Sequence, residues 1–136
     1  LSPGEFSSYV QEQIEEGGSI VIIDSLNGYS YAMPEEKFLT VHLHELTSYL
    51  SQKKVTSIYV VAQRRMLKES TPSTFDLSYI ADTVIQHRYV QLQGRQKKAL
   101  SVFKRRAGPH DTGVYELVID EKGITLGEFV STEPGG

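Results

Sequence analysis

Two groups of residues in this 136-residue chain have types and spacings suited to phosphate chemistry. The first is Asp24-Ser25, which ends the run Ser19-Ile20-Val21-Ile22-Ile23. Four consecutive branched apolar residues fit a strand buried on both faces, as in a parallel sheet covered by helices. Such sheets bind ligands at the carboxyl ends of their strands, and the run delivers its carboxylate there. An aspartate so placed can hold Mg²⁺ beside phosphates. It can also simply open the next turn after a buried strand, and on these residues alone that plainer account comes first. The second group is Lys104-Arg105-Arg106-Ala107-Gly108-Pro109-His110. On a strand, Lys104 and Arg106 point to one face and Arg105 to the other. Gly108-Pro109 then turns the chain and leaves His110 about one turn further along. Two cations and a histidine at a strand end can receive a phosphate, because Arg presents a planar donor fork. A solvated basic strand edge, which discourages aggregation, explains the same residues.

The elements that must position these groups can be read in order. Pro3 to Glu16 is predicted helical, with Ser2 as its cap, Pro3 in the first turn and Glu5 near the positive end. Phe6, Tyr9, Val10 and Ile14 make its apolar face, and Gly17-Gly18 ends it. After Asp24, the segment Ser25-Leu26-Asn27-Gly28-Tyr29 reads as a turn. Pro34 opens a second helix with Glu35 and Glu36 in its first turn. Leu39, Leu43, Leu46 and Leu50 give that helix an apolar stripe, and Lys53-Lys54 closes it favourably against its dipole. His42 and His44, two apart, cannot share a face as metal ligands and are expected solvated or on the cap side. Ile58 to Ala62 is the second buried strand, ending at Gln63. A helix between two such strands gives a right-handed crossover, which would bring Asp24 and Gln63 to the same edge of a parallel sheet. Gln63 there either reaches a ligand or caps a turn.

Residues 64–76 are polar, rich in Ser and Thr and broken by Pro72, as in a long mobile loop. A short helical turn is expected over Leu77 to Asp82. Strands follow at Thr83 to Leu92 and Ala99 to Arg106, joined by the polar connection Gln93 to Lys98. A second hairpin joins Val114–Ile119 to Ile124–Phe129 through Asp120-Glu121-Lys122-Gly123. Parallel strands with helices thus come first and antiparallel hairpins complete the sheet, an α/β architecture. Residues 1–130 read as a single domain and residues 131–136 as a frayed tail.

The bulk numbers narrow the class. The chain has about the length of one ordinary domain, and 39% hydrophobic with 23% charged residues suits a soluble globular protein. A net charge of −3 argues against bulk affinity for nucleic acid. There is no cysteine, which excludes disulfides, thiolate catalysis and cysteine-ligated zinc. No apolar stretch reaches membrane-spanning length and no leader opens the chain, so the expectation is a cytoplasmic protein.

The Asp24 strand has the form of a Walker B element, yet these residues contain no G-x-x-x-x-G-K-[ST] phosphate loop. A helix enters the first strand with no strand before it, so the chain is expected to be the later part of a longer domain. Three stretches together resemble the KaiC family of RecA-like ATPases: Val21-Ile22-Ile23-Asp24-Ser25-Leu26-Asn27-Gly28-Tyr29, Asp76-Leu77-Ser78-Tyr79-Ile80-Ala81-Asp82-Thr83-Val84 and Ser101-Val102-Phe103-Lys104-Arg105-Arg106-Ala107-Gly108-Pro109-His110. The resemblance covers Leu1 to about Phe129. It implies a partial RecA-like P-loop NTPase fold and, in the full-length protein, a homo-oligomer, a hexameric ring with ATP between subunits. Asp24 matches the Mg²⁺-directed Walker B aspartate, with Ser25 beside it, and Gln63 falls where such proteins place a phosphate sensor. Lys104, Arg106 and His110 match the trio that reaches the neighbouring subunit's nucleotide. With the resemblance, the functional readings of Asp24 and of the basic group take precedence. Ser78 matches one of the adjacent phosphorylated residues of the clock protein, but Tyr79 replaces the other, leaving Ser78 a weak phosphorylation candidate. The implied cofactors are ATP and Mg²⁺, and the implied output is signalling or clock-like regulation through protein partners. Without the phosphate loop the chain is expected to be inactive alone. The alternatives are a non-catalytic protein-interaction scaffold and, less favoured, a DNA motor with Arg64, Arg65 and Lys68 facing a pore.

Overall fold

The computed structural model describes residues 2–33, 36–62 and 79–130. Gln63, residues 64–76, Leu77, Ser78 and the expected tail lie outside them. The chain divides into two compact units, Leu1–Ile80 and Ala81–Gly136.

The first unit is α/β. Helix α1 (Pro3–Glu15) begins with a capping box. The Ser2 backbone N–H donates to Glu5 Oε2 at 2.7 Å, and the Glu5 N–H donates to Ser2 Oγ at 3.3 Å. The helix ends at Gly17, whose φ of 112° is one that glycine adopts without strain. Strand β1 (Ile20–Asp24) pairs in parallel with β2 (Thr56–Val60), in the register Ile20↔Thr56 to Asp24↔Val60. Between them lie the short helix α2 (Asn27–Ala32) and the long helix α3 (Glu36–Gln52). The leucine stripe of α3 is the centre of the core: Leu39, Leu43, Leu46 and Leu50 are buried with Val10, Ile23, Leu26 and Tyr29.

Several expectations need correction in this unit. The segment read as a turn is helical from Asn27, because Leu26 and Tyr29 are drawn into the core and hold the chain in place. Among the described residues of this unit, strand β1 is covered on one face only. Ile23 is buried, but Ile20 and Ile22 remain 62% and 63% exposed, as do parts of Ile58 and Val60 beside them. Four branched residues in a row do not themselves say how many faces are covered. On α1, Phe6, Val10 and Ile14 pack inward while Tyr9 stands out. Lys53 and Lys54 fall just past the last turn of α3, with Lys54 at φ 57°. His42 is half-buried rather than solvated, and His44 is exposed.

The second unit is an antiparallel sheet of β3 (Thr83–Leu92), β4 (Arg95–Arg105), β5 (Val114–Asp120) and β6 (Gly123–Phe129), in the order β3-β4-β5-β6. Among the described residues, these strands form a sheet separate from β1-β2 rather than its continuation. The β3-β4 hairpin is tighter than expected. Gln93 and Gly94 both take positive φ, 51° and 73°, as a two-residue type I′ turn requires, and β4 therefore begins at Arg95. The pairing shifts between Val84 and Ile85, so that Val84 faces Lys104 and Ile85 faces Val102. Tyr79 and Ile80 form a turn, and the first part of the expected helical turn, Leu77 and Ser78, lies outside the described residues. No helix among the described residues is long and apolar enough to cross a membrane.

Candidate functional site

Parallel pairing opens the carboxyl ends of β1 and β2 at one edge, and the backbone around Asp24 is fixed from both sides. Ile23 before it is buried, Asp24 is exposed, Ser25 is half-buried and Leu26 after it is buried. The Asp24–Ser25 peptide bond is cis. Beyond it, the Leu26 N–H donates to the Val60 carbonyl at 2.9 Å. The Asn27 carboxamide then takes both backbone groups of Ala62: Nδ2 donates to the Ala62 carbonyl at 2.8 Å, and Oδ1 accepts from the Ala62 N–H at 2.9 Å. The side chain acts as a strand neighbour would, and so ties the segment after β1 to the segment after β2. Sequence reading took Asn27 for a turn residue. The residue it pairs with lies 35 positions away, beyond the reach of any local pattern.

Asp24 and Ser25 border a pocket of about 250 Å³. Its other walls come from α1 (Ser2, Pro3, Phe6), from Ile23, and from the α2 segment (Gly28, Tyr29, Ala32). The polar side chains at it are few: Ser2, already engaged in its capping box, Tyr29, whose hydroxyl is buried, and the Asp24 carboxylate with the Ser25 hydroxyl. One carboxylate and one hydroxyl suit Mg²⁺, which typically keeps few protein ligands and completes its shell with water and phosphate oxygens. No cluster of three or more His, Cys, Asp or Glu among the described residues could enclose a metal unaided.

The floor beside this pocket is aromatic. Tyr29 meets Phe6 edge-on, with ring centroids 5.4 Å apart, and lies tilted against His42 at the same separation. His42 Nε2 is 3.3 Å from Ser7 Oγ, joining α3 to α1. Burial lowers the His42 pKa, partly opposed by Glu45. Burial and then the neighbouring Tyr59 push the Tyr29 phenol up to about 12. Its buried hydroxyl has no hydrogen-bond partner among the described residues.

The basic group occupies one end of the second unit. Lys104 is half-buried in β4 opposite Val84, and Arg105 is exposed opposite Thr83. The strand stops at Arg105, so Arg106 does not share a strand face with Lys104 as expected. Its backbone N–H donates to the Asp82 carbonyl at 2.8 Å, and its Nη1 donates to Asp82 Oδ1, also at 2.8 Å. Both partners are well exposed. Gly108, at φ 86°, turns the chain toward His110, which is half-buried. The following residue, Asp111, locks the approach to β5. It accepts from the Tyr115 hydroxyl at 2.5 Å and from the Gly113 N–H at 2.8 Å. These bonds, that from Tyr115 foremost, hold the Asp111 carboxyl below its ordinary range, and the same bond raises the Tyr115 phenol. Asp111 went unnoticed in the sequence, and Asp82 was read only as the end of a short turn within a matching stretch, not as a partner of Arg106.

Comparison with known proteins adds the family. The KaiC ATPase family model matches residues 2–130. The circadian clock oscillator protein KaiC of Thermostichus vulcanus is 30% identical over 108 residues, covering 79% of this chain and 21% of the relative. That of Synechococcus elongatus is 27% identical over 103 residues, 76% of this chain and 20% of the relative. The circadian clock protein KaiC3 of Synechocystis sp. is 26% identical over 108 residues, 79% and 21% respectively. The chain spans about a fifth of the length of these curated relatives. A match over nearly its whole length places it: the chain belongs to the KaiC family of ATPases.

Proposed function

We propose that this chain forms part of a RecA-like ATPase domain, residues 1–130, that works in a homo-oligomeric ring, a hexamer, with ATP between subunits. The observation that carries it is the exposed Asp24 carboxylate at the open end of a parallel strand pair, beside Ser25 and a pocket. Asp24, with the Ser25 hydroxyl close by, would hold Mg²⁺ against the β- and γ-phosphates, where the ion neutralises charge. Gln63, which follows the second strand in sequence, would sense the terminal phosphate. Lys104, Arg106 and His110 would reach the nucleotide of the adjoining subunit, where cations brought across an interface stabilise a transferring phosphoryl group. The Arg106–Asp82 pair suits such a role, because an ion pair exposed to water is weak and exchanges partners at little cost. Clock-like or signalling output belongs to the same proposal.

Subunit mixing tests it, in a chain that also carries a phosphate-binding loop. Arg106→Ala and Asp24→Ala proteins should each lose turnover, the former with nucleotide affinity largely kept. Rings assembled from both should regain part of the activity, because some interfaces then hold an intact Asp24 facing an intact Arg106. Rings that form but stay as inactive as their parents would overturn the trans assignment. A chain with full turnover despite Asp24→Ala would leave the non-catalytic scaffold as the better account.

A further inference from the structure

The charges of this chain are sorted along its length far more sharply than its net charge of −3 suggests. Residues 1–36 hold seven acidic residues and no Lys or Arg. Residues 83–110 hold seven Lys and Arg and no Asp or Glu. The structure gives each block a shape. In the first, Glu5, Glu12 and Glu16 recur at helical spacing and form an exposed stripe along α1 and its C-cap, with the exposed Tyr9 on the same side. In the second, the cations lie along the β3-β4 hairpin. At its tip, Arg88 and Arg95 stand on one face, because Leu92 pairs with Arg95, and Lys98 stands on the other, opposite Tyr89. All three cations are exposed. Lys97 at the same tip is already paired with Glu116 at 3.3 Å.

We infer that the tip of the β3-β4 hairpin is a docking surface for the acidic face of α1 in a second copy of this chain. Charge complementarity carries the choice of partner: the α1 stripe presents Glu5, Glu12 and Glu16, and the hairpin tip presents Arg88, Arg95 and Lys98. Each also presents an aromatic ring amid its charges, as protein interfaces favour. A polyanion such as single-stranded nucleic acid fits the hairpin alone, but it would be repelled by the acidic remainder of the chain. The two surfaces differ, so the contact is heterologous and runs head to tail from copy to copy. It is separate from the Lys104–Arg106–His110 end, which lies about 30 Å away along β4 by strand rise, and it does not depend on the nucleotide proposal.

Sedimentation velocity of the chain at low and high salt tests this. Association should be present at low salt and weaken about tenfold or more as ionic strength screens the charges. Triple reversal on the helix (Glu12→Lys, Glu15→Lys, Glu16→Lys) or on the hairpin (Arg88→Glu, Arg95→Glu, Lys98→Glu) should abolish it, with circular dichroism checking the fold. An equimolar mixture of the two reversed proteins should associate again as a heterodimer, since the reversed surfaces match each other. Four outcomes overturn the inference: a monomer at low salt, association that strengthens with salt as apolar contact does, a mixture that stays apart, or a fluorescent single-stranded oligonucleotide bound through the hairpin in preference to a second copy. If a triple variant fails to fold, the single reversals Glu12→Lys and Arg95→Glu, mixed in the same way, keep the test.

Discussion

Asn27 offers the most direct test of how the Asp24 edge is built. Its carboxamide makes two hydrogen bonds of 2.8 and 2.9 Å to the backbone of Ala62, and Asn27→Ala removes both. Each such bond contributes about 0.5–1.5 kcal/mol net, and water can reach this site to replace part of the loss, so a cost of about 1–2 kcal/mol is expected. For a unit of this size that lowers Tm by roughly 4–12 °C. The local readout is sharper: hydrogen exchange at the Ala62 amide should accelerate in step with the stability loss. Asn27→Asp separates the two bonds. The carboxylate still accepts from the Ala62 N–H but now sets negative charge against the Ala62 carbonyl, so this variant should be at least as unstable as Asn27→Ala at neutral pH. Relative to wild type it should recover below the usual aspartate pKa of about 3.9, where a protonated carboxyl regains a donor. Unchanged Ala62 protection in Asn27→Ala would show that the segments after β1 and β2 are held together by something else.

Four further outcomes are expected. Tyr29→Phe should raise stability by roughly 1 kcal/mol, because it removes a buried hydroxyl that has no partner among the described residues; a lower Tm would mean that the hydroxyl is satisfied. The same variant should remove an alkaline weakness, since the folded Tyr29 holds its proton to about 12 while the unfolded chain releases it near 10, so that stability present below pH 10 is lost between 10 and 12. At the acid side, burial lowers the His42 pKa, so its contribution is full above the ordinary value of 6.5 and is lost as pH falls through the depressed folded value; thermal unfolding of His42→Gln should show a flatter slope there. Calorimetric titration of this chain with Mg·ATP should detect negligible binding, because one strand-end carboxylate cannot replace a backbone cradle for the phosphates, and micromolar affinity would mean the nucleotide site has been misplaced.

What the sequence made legible follows from how local each signal is. The stripe Leu39, Leu43, Leu46, Leu50 and the Ser2–Glu5 capping box are decided within one or two helical turns, and the folded chain has both. The parallel pairing of the strands on either side of α3 also followed from alternation of element types, though not their register. Helix α2 was hidden because Asn-Gly signals a turn, and only the burial of Leu26 and Tyr29 in a core built by distant residues overrides it. The start of β4 was hidden for the opposite reason: at the hairpin tip both faces are exposed, so Arg95 to Lys98 show no apolar alternation to mark a strand. The exposure of Ile20 and Ile22 was not legible, since periodicity reports apolar character and not the number of covered faces. Pairings such as Asn27 with Ala62 and Arg106 with Asp82 join residues 35 and 24 positions apart, and nothing in the intervening sequence announces them.

The two candidate groups differ in how firmly they are held, and that difference bears on their proposed roles. Asp24 projects outward because its neighbours cannot: Ile23 is buried on one side, Leu26 lies 1% exposed two residues on, and the Leu26 N–H is bonded to Val60. The backbone that carries its carboxylate is therefore fixed by the core, which suits the proposed role of metal ligand. Arg106, by contrast, leaves its strand and rests on an exposed carboxylate of a neighbouring strand end. Salt and water screen that pair, so the pair itself contributes little. A group meant to meet charge on another subunit gains from such a resting place, because binding then exchanges one weak ion pair for a desolvated one. Were the assignments reversed, with the cation rigid and the carboxylate loose, closing an interface would strain the first and misplace the second.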